Sequence, residues 1–391
     1  MNAKDKSATA AVRGRPDDTA EYGSNDVRLS GREWIAAALI VLPVLVGLPI
    51  VWGWAEPFDP DADYRIGYRL SEDYWLFDRY CRRACAEDKT LLIGDSVVWG
   101  HYVTEENTLS HHLNEAAGRQ RFANLGVDGT HPAALAGLIE HYGTAISGKW
   151  VVLHCNLLWM SSKRHDLQTE KEFRFNHPAL VPQFHPRIPC YKEPIADRLS
   201  IVVRRGVDLF AWAEHLRIAY FERADIPTWT IDHPYSRPLG PILRKRPYAR
   251  EGIPPDATPR PWTEKGIQPF GPDWVALETS LQWASFKRLV AILTDRDNRL
   301  FVLVGPFNEH MLTEESLAVY RQRIGAVESW LRRSGIAYHI PPPLPSELYA
   351  DASHPLGDGY KALARRLYVQ EAFARFDGRR RAGSQPNGSQ K

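Results

Sequence analysis

The sequence predicts an α/β protein with a parallel, doubly wound sheet, and three observations carry that prediction. Short apolar runs alternate with segments of helical periodicity over most of residues 88 to 376. One of those runs, Thr90-Leu91-Leu92-Ile93, ends in Gly94-Asp95-Ser96, a sharp turn from strand into helix. The composition, 44% hydrophobic and 25% charged over 391 residues, suits a large globular domain, and nothing in the chain repeats.

The elements follow in order. Residues 1 to 33 are polar and mixed in charge, the composition of a disordered cytoplasmic segment. Ile35 to Trp54 is an uncharged stretch of twenty residues, enough for a helix to cross a bilayer, and Pro43 and Pro49 are tolerated in such helices. Trp34, Trp52 and Trp54 sit at its ends, where aromatic side chains favour the headgroup zone. Lys4, Lys6, Arg13, Arg15, Arg28 and Arg32 precede it, whereas Glu56, Asp59, Asp61 and Asp63 follow. This bias predicts a retained signal-anchor with the N-terminus inside and the following domain outside the cytoplasmic membrane, periplasmic in a Gram-negative cell. The stretch exceeds a secretory h-region, and no small-x-small cleavage site follows it. Residues 55 to 87 are a juxtamembrane segment.

Beyond it, strands are expected at Leu91 to Ile93, Phe122 to Leu125, Val151 to Leu153, Leu300 to Val304 and Ile336 to Ile340. Helices are expected from Ser96, around Leu135, Leu138 and Ile139, over 197 to 222, from Val275 to Leu293, from Leu317 to Leu331 and from Gly359 to Arg375. Residues 377 to 391 form a polar tail. Between Asn156 and Asp351 lie 194 residues, more than two strand-helix units need, so an insertion is placed at about 160 to 274. Asp225 to Trp274 carries eleven prolines together with Trp229, Tyr235, Tyr248, Trp262, Phe270 and Trp274. That composition reads as a lid or substrate-shaping subdomain, and aromatics of this kind either stack on sugar faces or pack the insert onto the core.

Two motifs carry chemistry. A serine that opens a helix after a strand leaves its hydroxyl at the carboxyl edge of the sheet, where open α/β sheets bind ligands, beside unpaired backbone N–H groups. Ser96 occupies that position. Near the C-terminus, Asp351-Ala352-Ser353-His354-Pro355 places an acid three residues before a histidine, the spacing for Asp351 to orient His354 as a general base. Each also has a structural reading, Ser96 as a helix cap and Asp351 with His354 as a capping pair.

With these motifs the chain resembles the SGNH branch of the GDSL esterase family. Asn124-Leu125-Gly126-Val127-Asp128-Gly129 is similar to the family's second block, and Trp150 to Asn156 to the strand that ends in its third. The resemblance implies a three-layer, flavodoxin-like fold and a catalytic Ser96, His354 and Asp351. It also implies an oxyanion hole of Ser96 N–H, Gly129 N–H and the Asn156 side-chain NH₂. Where the family has Gly-x-Asn-Asp, this chain has His154-Cys155-Asn156-Leu157. Gly305 to His310 follows a strand, and Asn308 and His310 are candidate substrate contacts.

The expected function is hydrolysis of an ester, with O-acetyl groups of carbohydrate as one substrate class. Two alternatives stand beside it: an O-acyltransferase subunit that modifies exported polysaccharide with a membrane acyl-transfer partner, and a catalytically inactive binding or assembly subunit. No cofactor and no metal is expected, since the spacing of the four cysteines does not resemble a zinc site. Cys81 and Cys85, four residues apart, are compatible with a disulfide or with free thiols. The partners expected are the bilayer, through the anchor, and a small-molecule or glycan ester. A formal charge of +2 gives no electrostatic footprint for nucleic acid.

Overall fold

The computed structural model describes residues 29 to 237, 240, 242 and 252 to 378. The N-terminal segment up to residue 28, Tyr248 and the tail beyond 378 lie outside them. The chain divides into two compact units, one ending at Val51 and one beginning at Trp52.

Helix α1, Gly31–Ala55, contains the apolar stretch. Ser30 and Glu33 start it as a capping box: the Glu33 carboxylate accepts the Ser30 amide (2.7 Å), and the Ser30 hydroxyl accepts the Glu33 amide (3.4 Å). Its length and apolarity are those of a membrane anchor or a signal sequence.

The second unit is α/β around a five-stranded, all-parallel sheet in the order β2-β1-β3-β4-β5. The strands are β1 (Thr90–Ile93), β2 (Phe122–Asn124), β3 (Trp150–Cys155), β4 (Arg299–Val304) and β5 (Ala337–His339). Each lies within two residues of its expected place. The strands form because apolar side chains point to both faces and each face is covered. Leu91, Ile93, Val151, Leu153, Val302 and Val304 enter one core with α2 (Tyr74–Ala86), α5 (Pro132–Tyr142), α9 (Leu281–Asp295) and α10 (Glu314–Arg333). Leu92, Val152, Phe301 and Leu303 enter the other with α4 (Leu109–Ala117), α11 (Gly357–Val369) and α12 (Glu371–Phe376). The result is two helical layers around one sheet.

Three local differences have identifiable causes. Tyr74–Ala86 is a capped helix inside the expected juxtamembrane segment: Asp73 accepts the Leu76 amide, and Leu76, Phe77, Tyr80, Cys81 and Ala84 are buried on one face. Helix α9 begins at Leu281 rather than Val275. Asp166 accepts the Leu281 and Gln282 amides while Ser280 caps the Trp283 amide, which fixes the start there. The last helix breaks at Gln370, whose extended backbone lets its side chain cap the Ala372 amide and start α12.

The insertion between β3 and α9 contributes α6 (Ile195–Arg205), α7 (Asp208–Tyr220) and α8 (Ile226–Asp232), with α6 and α7 parted at Gly206. Of its aromatics, Trp229, Trp262 and Trp274 are buried, and Tyr235 is fully exposed. Cys81, Cys85, Cys155 and Cys190 are free thiols.

Candidate active site

The order β2-β1-β3 makes the carboxyl ends of β1 and β3 the point where the chain reverses its direction across the sheet, the crevice where open α/β sheets hold ligands. Ser96 and Asn156 sit at those two ends. At the first, Gly94 makes the turn. A Cβ there would lie 2.5 Å from Val98 Cγ2 and 2.7 Å from His154 Cβ, so only glycine lets α3 (Ser96–Trp99) fold back on β3. Asp95 is the N-cap of α3 and accepts the Val97 amide at 3.0 Å. Asn124, at the end of β2, donates to Val98 O at 2.9 Å and pins α3 from the other side.

The three residues of the expected triad come together. Ser96 Oγ lies 2.8 Å from His354 Nε2, and His354 Nδ1 lies 2.8 and 2.9 Å from the two Asp351 oxygens. Asp351 Oδ1 also accepts the backbone amides of Ser353 (2.9 Å) and His354 (3.0 Å), so the turn itself aims the carboxylate. Burial alone would raise the Asp351 pKa, but His354 and these amides outweigh it and hold the carboxyl well below its usual range. Burial would depress His354, and the facing Asp351 charge raises it instead. The histidine is therefore a strengthened base with its proton-accepting nitrogen on the serine.

The groups expected to form an oxyanion hole are Ser96 N–H, Gly129 N–H and the Asn156 side chain. Among the described residues, neither the Ser96 nor the Gly129 amide donates to a protein acceptor. Gly129 has φ +72°, and a Cβ on it would meet Asn176 Nδ2 at 2.4 Å, so the tight backbone approach needs glycine. Asn156 Nδ2 donates to Asp95 Oδ2 at 2.8 Å while its Oδ1 accepts the Leu158 amide. One hydrogen of that NH₂ is thereby committed and the other is left for a further acceptor.

Asp95 is the centre of a buried network absent from the sequence reading. Its Oδ1 faces His154 Nδ1 at 3.0 Å, and its Oδ2 takes Asn156 and the Trp159 indole N–H at 2.9 Å. Burial would push the Asp95 carboxyl up, yet His154 and the other donors bring it down to about 2. His154 Nε2 in turn lies 3.1 Å from Gly305 O, so both ring nitrogens face oxygens. From Gly305 the chain runs to Asn308, which is fully buried; its amide donates to Ala352 O (2.8 Å) and its side chain to Asp351 O (3.2 Å). Asn308 thus braces the loop that carries Asp351. His310 is bonded to Leu344 O at 3.0 Å.

His101, Tyr102 and Lys265 complete the surroundings. The His101 and Tyr102 rings lie 5.6 and 5.4 Å from the His354 ring, and His101 Nδ1 lies 2.9 Å from Asp128 beside Gly129. Burial and the nearby Asp351 charge raise the Tyr102 phenol, which stays protonated. Lys265, from the insertion, sits 4.1 Å from the Tyr102 ring centre, and the neighbouring Trp262 donates to Tyr349 O (2.9 Å) and Ser346 Oγ (3.0 Å). The end of the proline-rich segment is therefore seated on the loop that carries Asp351. A histidine inside the apolar run Trp150 to Cys155 was the one sequence signal for the Asp95 network; Tyr102 and Lys265 gave none. Among known proteins, no family model and no curated sequence matches this chain.

Proposed function

We propose that the protein is a serine esterase of the SGNH type, tethered to a membrane by α1 with its catalytic domain outside the cytoplasm. The single observation that carries the reading is the hydrogen-bonded series Ser96, His354, Asp351 at the switch point of a parallel sheet. In the first step Ser96 Oγ bonds to the ester carbonyl carbon while His354 Nε2 takes its proton. The carbonyl oxygen becomes an oxyanion held by the Ser96 and Gly129 amides and the second Asn156 hydrogen. The tetrahedral species collapses, the carbon–oxygen bond to the alcohol breaks, and His354 returns the proton to the leaving oxygen. Water then attacks the acyl-serine with His354 as base, which releases the acid and restores Ser96.

The membrane reading of α1 rests on its length and apolarity, and the sidedness on the lysine and arginine bias. The test is hydrolysis of short-chain aryl esters by the full chain in detergent, with Ser96→Ala and His354→Ala as controls. The expected result is hydrolysis lost in both variants. A wild-type rate equal to that of Ser96→Ala, in a folded sample, overturns the esterase reading and directs the search to acyl transfer onto glycan hydroxyls.

A further inference from the structure

The insertion helix α6 is held in place with its apolar side outward. Ile195, Leu199, Val202 and Val203 recur at the spacing of one helical face and are 71, 51, 45 and 56% exposed, and no residue of α6 is buried. The helix is nonetheless fixed from another side. Arg198 donates to Gln183 O and Arg205 to Val181 O, both at 2.6 Å, while Ile201 lines a cleft of about 240 Å³ with Trp75 and Phe210. An apolar stripe on a helix anchored in this way marks an interaction surface.

The chain itself indicates what covers it. The apolar stretch of α1 ends at Trp52 and Trp54, and Trp54 is 84% exposed. Trp52 lies edge-on to Trp212 (6.1 Å between ring centres) and Tyr220 (5.9 Å), both on α7, the helix joined to α6 through Gly206 and Val207. Glu56, the residue after α1, is tied to the same helix through His215 Nε2 at 2.9 Å. The point where an anchored chain leaves the bilayer is therefore fixed to the helix pair that carries the stripe. We infer that α6 lies in the headgroup zone of the lipid bilayer with Ile195, Leu199, Val202 and Val203 toward the acyl chains, a second membrane contact besides α1. This is the arrangement of interfacial amphipathic helices. It rests on the anchor reading of α1 and is independent of the esterase chemistry.

The experiment uses the full chain in nanodiscs of phosphatidylcholine and phosphatidylglycerol whose acyl chains carry nitroxides both near the headgroup and near the chain end, so that the headgroup zone and the bilayer centre are both reported. In a Cys85→Ser background, a bimane fluorophore is attached at one of three substitutions: Leu42→Cys within α1, Leu199→Cys on the stripe, or Val369→Cys, an exposed apolar site at the end of α11 on the opposite side of the sheet. The expected result is strong quenching at positions 42 and 199, several-fold above that at 369. Quenching at 42 with position 199 no different from 369 overturns the proposal and leaves the anchor intact. No quenching at 42 overturns the anchor reading, and the proposal falls with it.

Discussion

Replacing His154 by leucine removes the imidazole that faces a carboxylate only 3% exposed and leaves Gly305 O facing an apolar side chain. The loss can be sized from the structure. The Asp95 carboxyl, brought from 3.8 to about 2, stabilises the fold near neutral pH by about 2 to 3 kcal/mol, with His154 the largest favourable contributor. A buried pair broken on one side costs about 3 to 5 kcal/mol, but Asp95 keeps Asn156, Trp159 and the Val97 amide, which brings the expected cost to about 2 to 3 kcal/mol. Against a typical total of about 5 to 15 kcal/mol this is a large fraction. Because the folded pKa is depressed, the stabilisation is complete above about pH 4 and fades as pH falls toward 2. Urea unfolding of the full chain in micelles, followed by tryptophan fluorescence from pH 7 downward, measures it. The gap between wild type and His154→Leu should be present at neutral pH and shrink below about pH 4, as Asp95 takes up its proton. A gap under about 1 kcal/mol at pH 7, or one that grows below about pH 4, refutes the reasoning.

Three further outcomes are expected. Asp351→Asn keeps the shape of the acid loop but removes the charge that raises His354; the ester hydrolysis rate should fall by about 10⁴-fold and the acid limb of kcat/KM should move to lower pH. Gly94→Ala must displace Val98 or His154, so steady-state kinetics should show a loss of kcat, with a stability cost of about 1 to 3 kcal/mol by urea unfolding. His215 sits between Asp73 (2.7 Å) and Glu56 (2.9 Å); burial would lower its pKa, but the two carboxylates lift it to about 9. Since this folded pKa is raised, the stabilisation is complete below about pH 6.5 and is lost as pH rises through 9. The decline in thermal stability between those pH values should be absent in His215→Leu.

The sheet was legible because parallel central strands are apolar on both faces, so Leu91 to Ile93 and Leu300 to Val304 stand out as runs without needing a partner. Ser96, Asp351 and His354 were legible for a different reason: the spacing of the motif fixes local geometry, and the fold has only to bring the two turns together. Helix α2 was hidden because it follows the apolar stretch within residues 55 to 87, which read as a juxtamembrane segment, and its apolar residues are interrupted by Asp78, Arg79, Arg82 and Arg83. Asn308 is expected as a candidate substrate contact because it follows a strand end, and the structure buries it beneath the loop that carries Asp351. Long-range pairings such as His154 with Asp95 and Lys265 with Tyr102 leave no periodic trace, since each joins residues brought together only by the crossovers and the insertion.

The most direct measurement is covalent labelling by a fluorophosphonate, followed by peptide mapping, on the full chain and on His354→Ala. Phosphonylation of Ser96 alone, slowed by orders of magnitude in His354→Ala, is the result expected of a serine activated by that histidine. A folded wild-type protein that takes no label at Ser96, or takes it as fast without His354, contradicts the central claim.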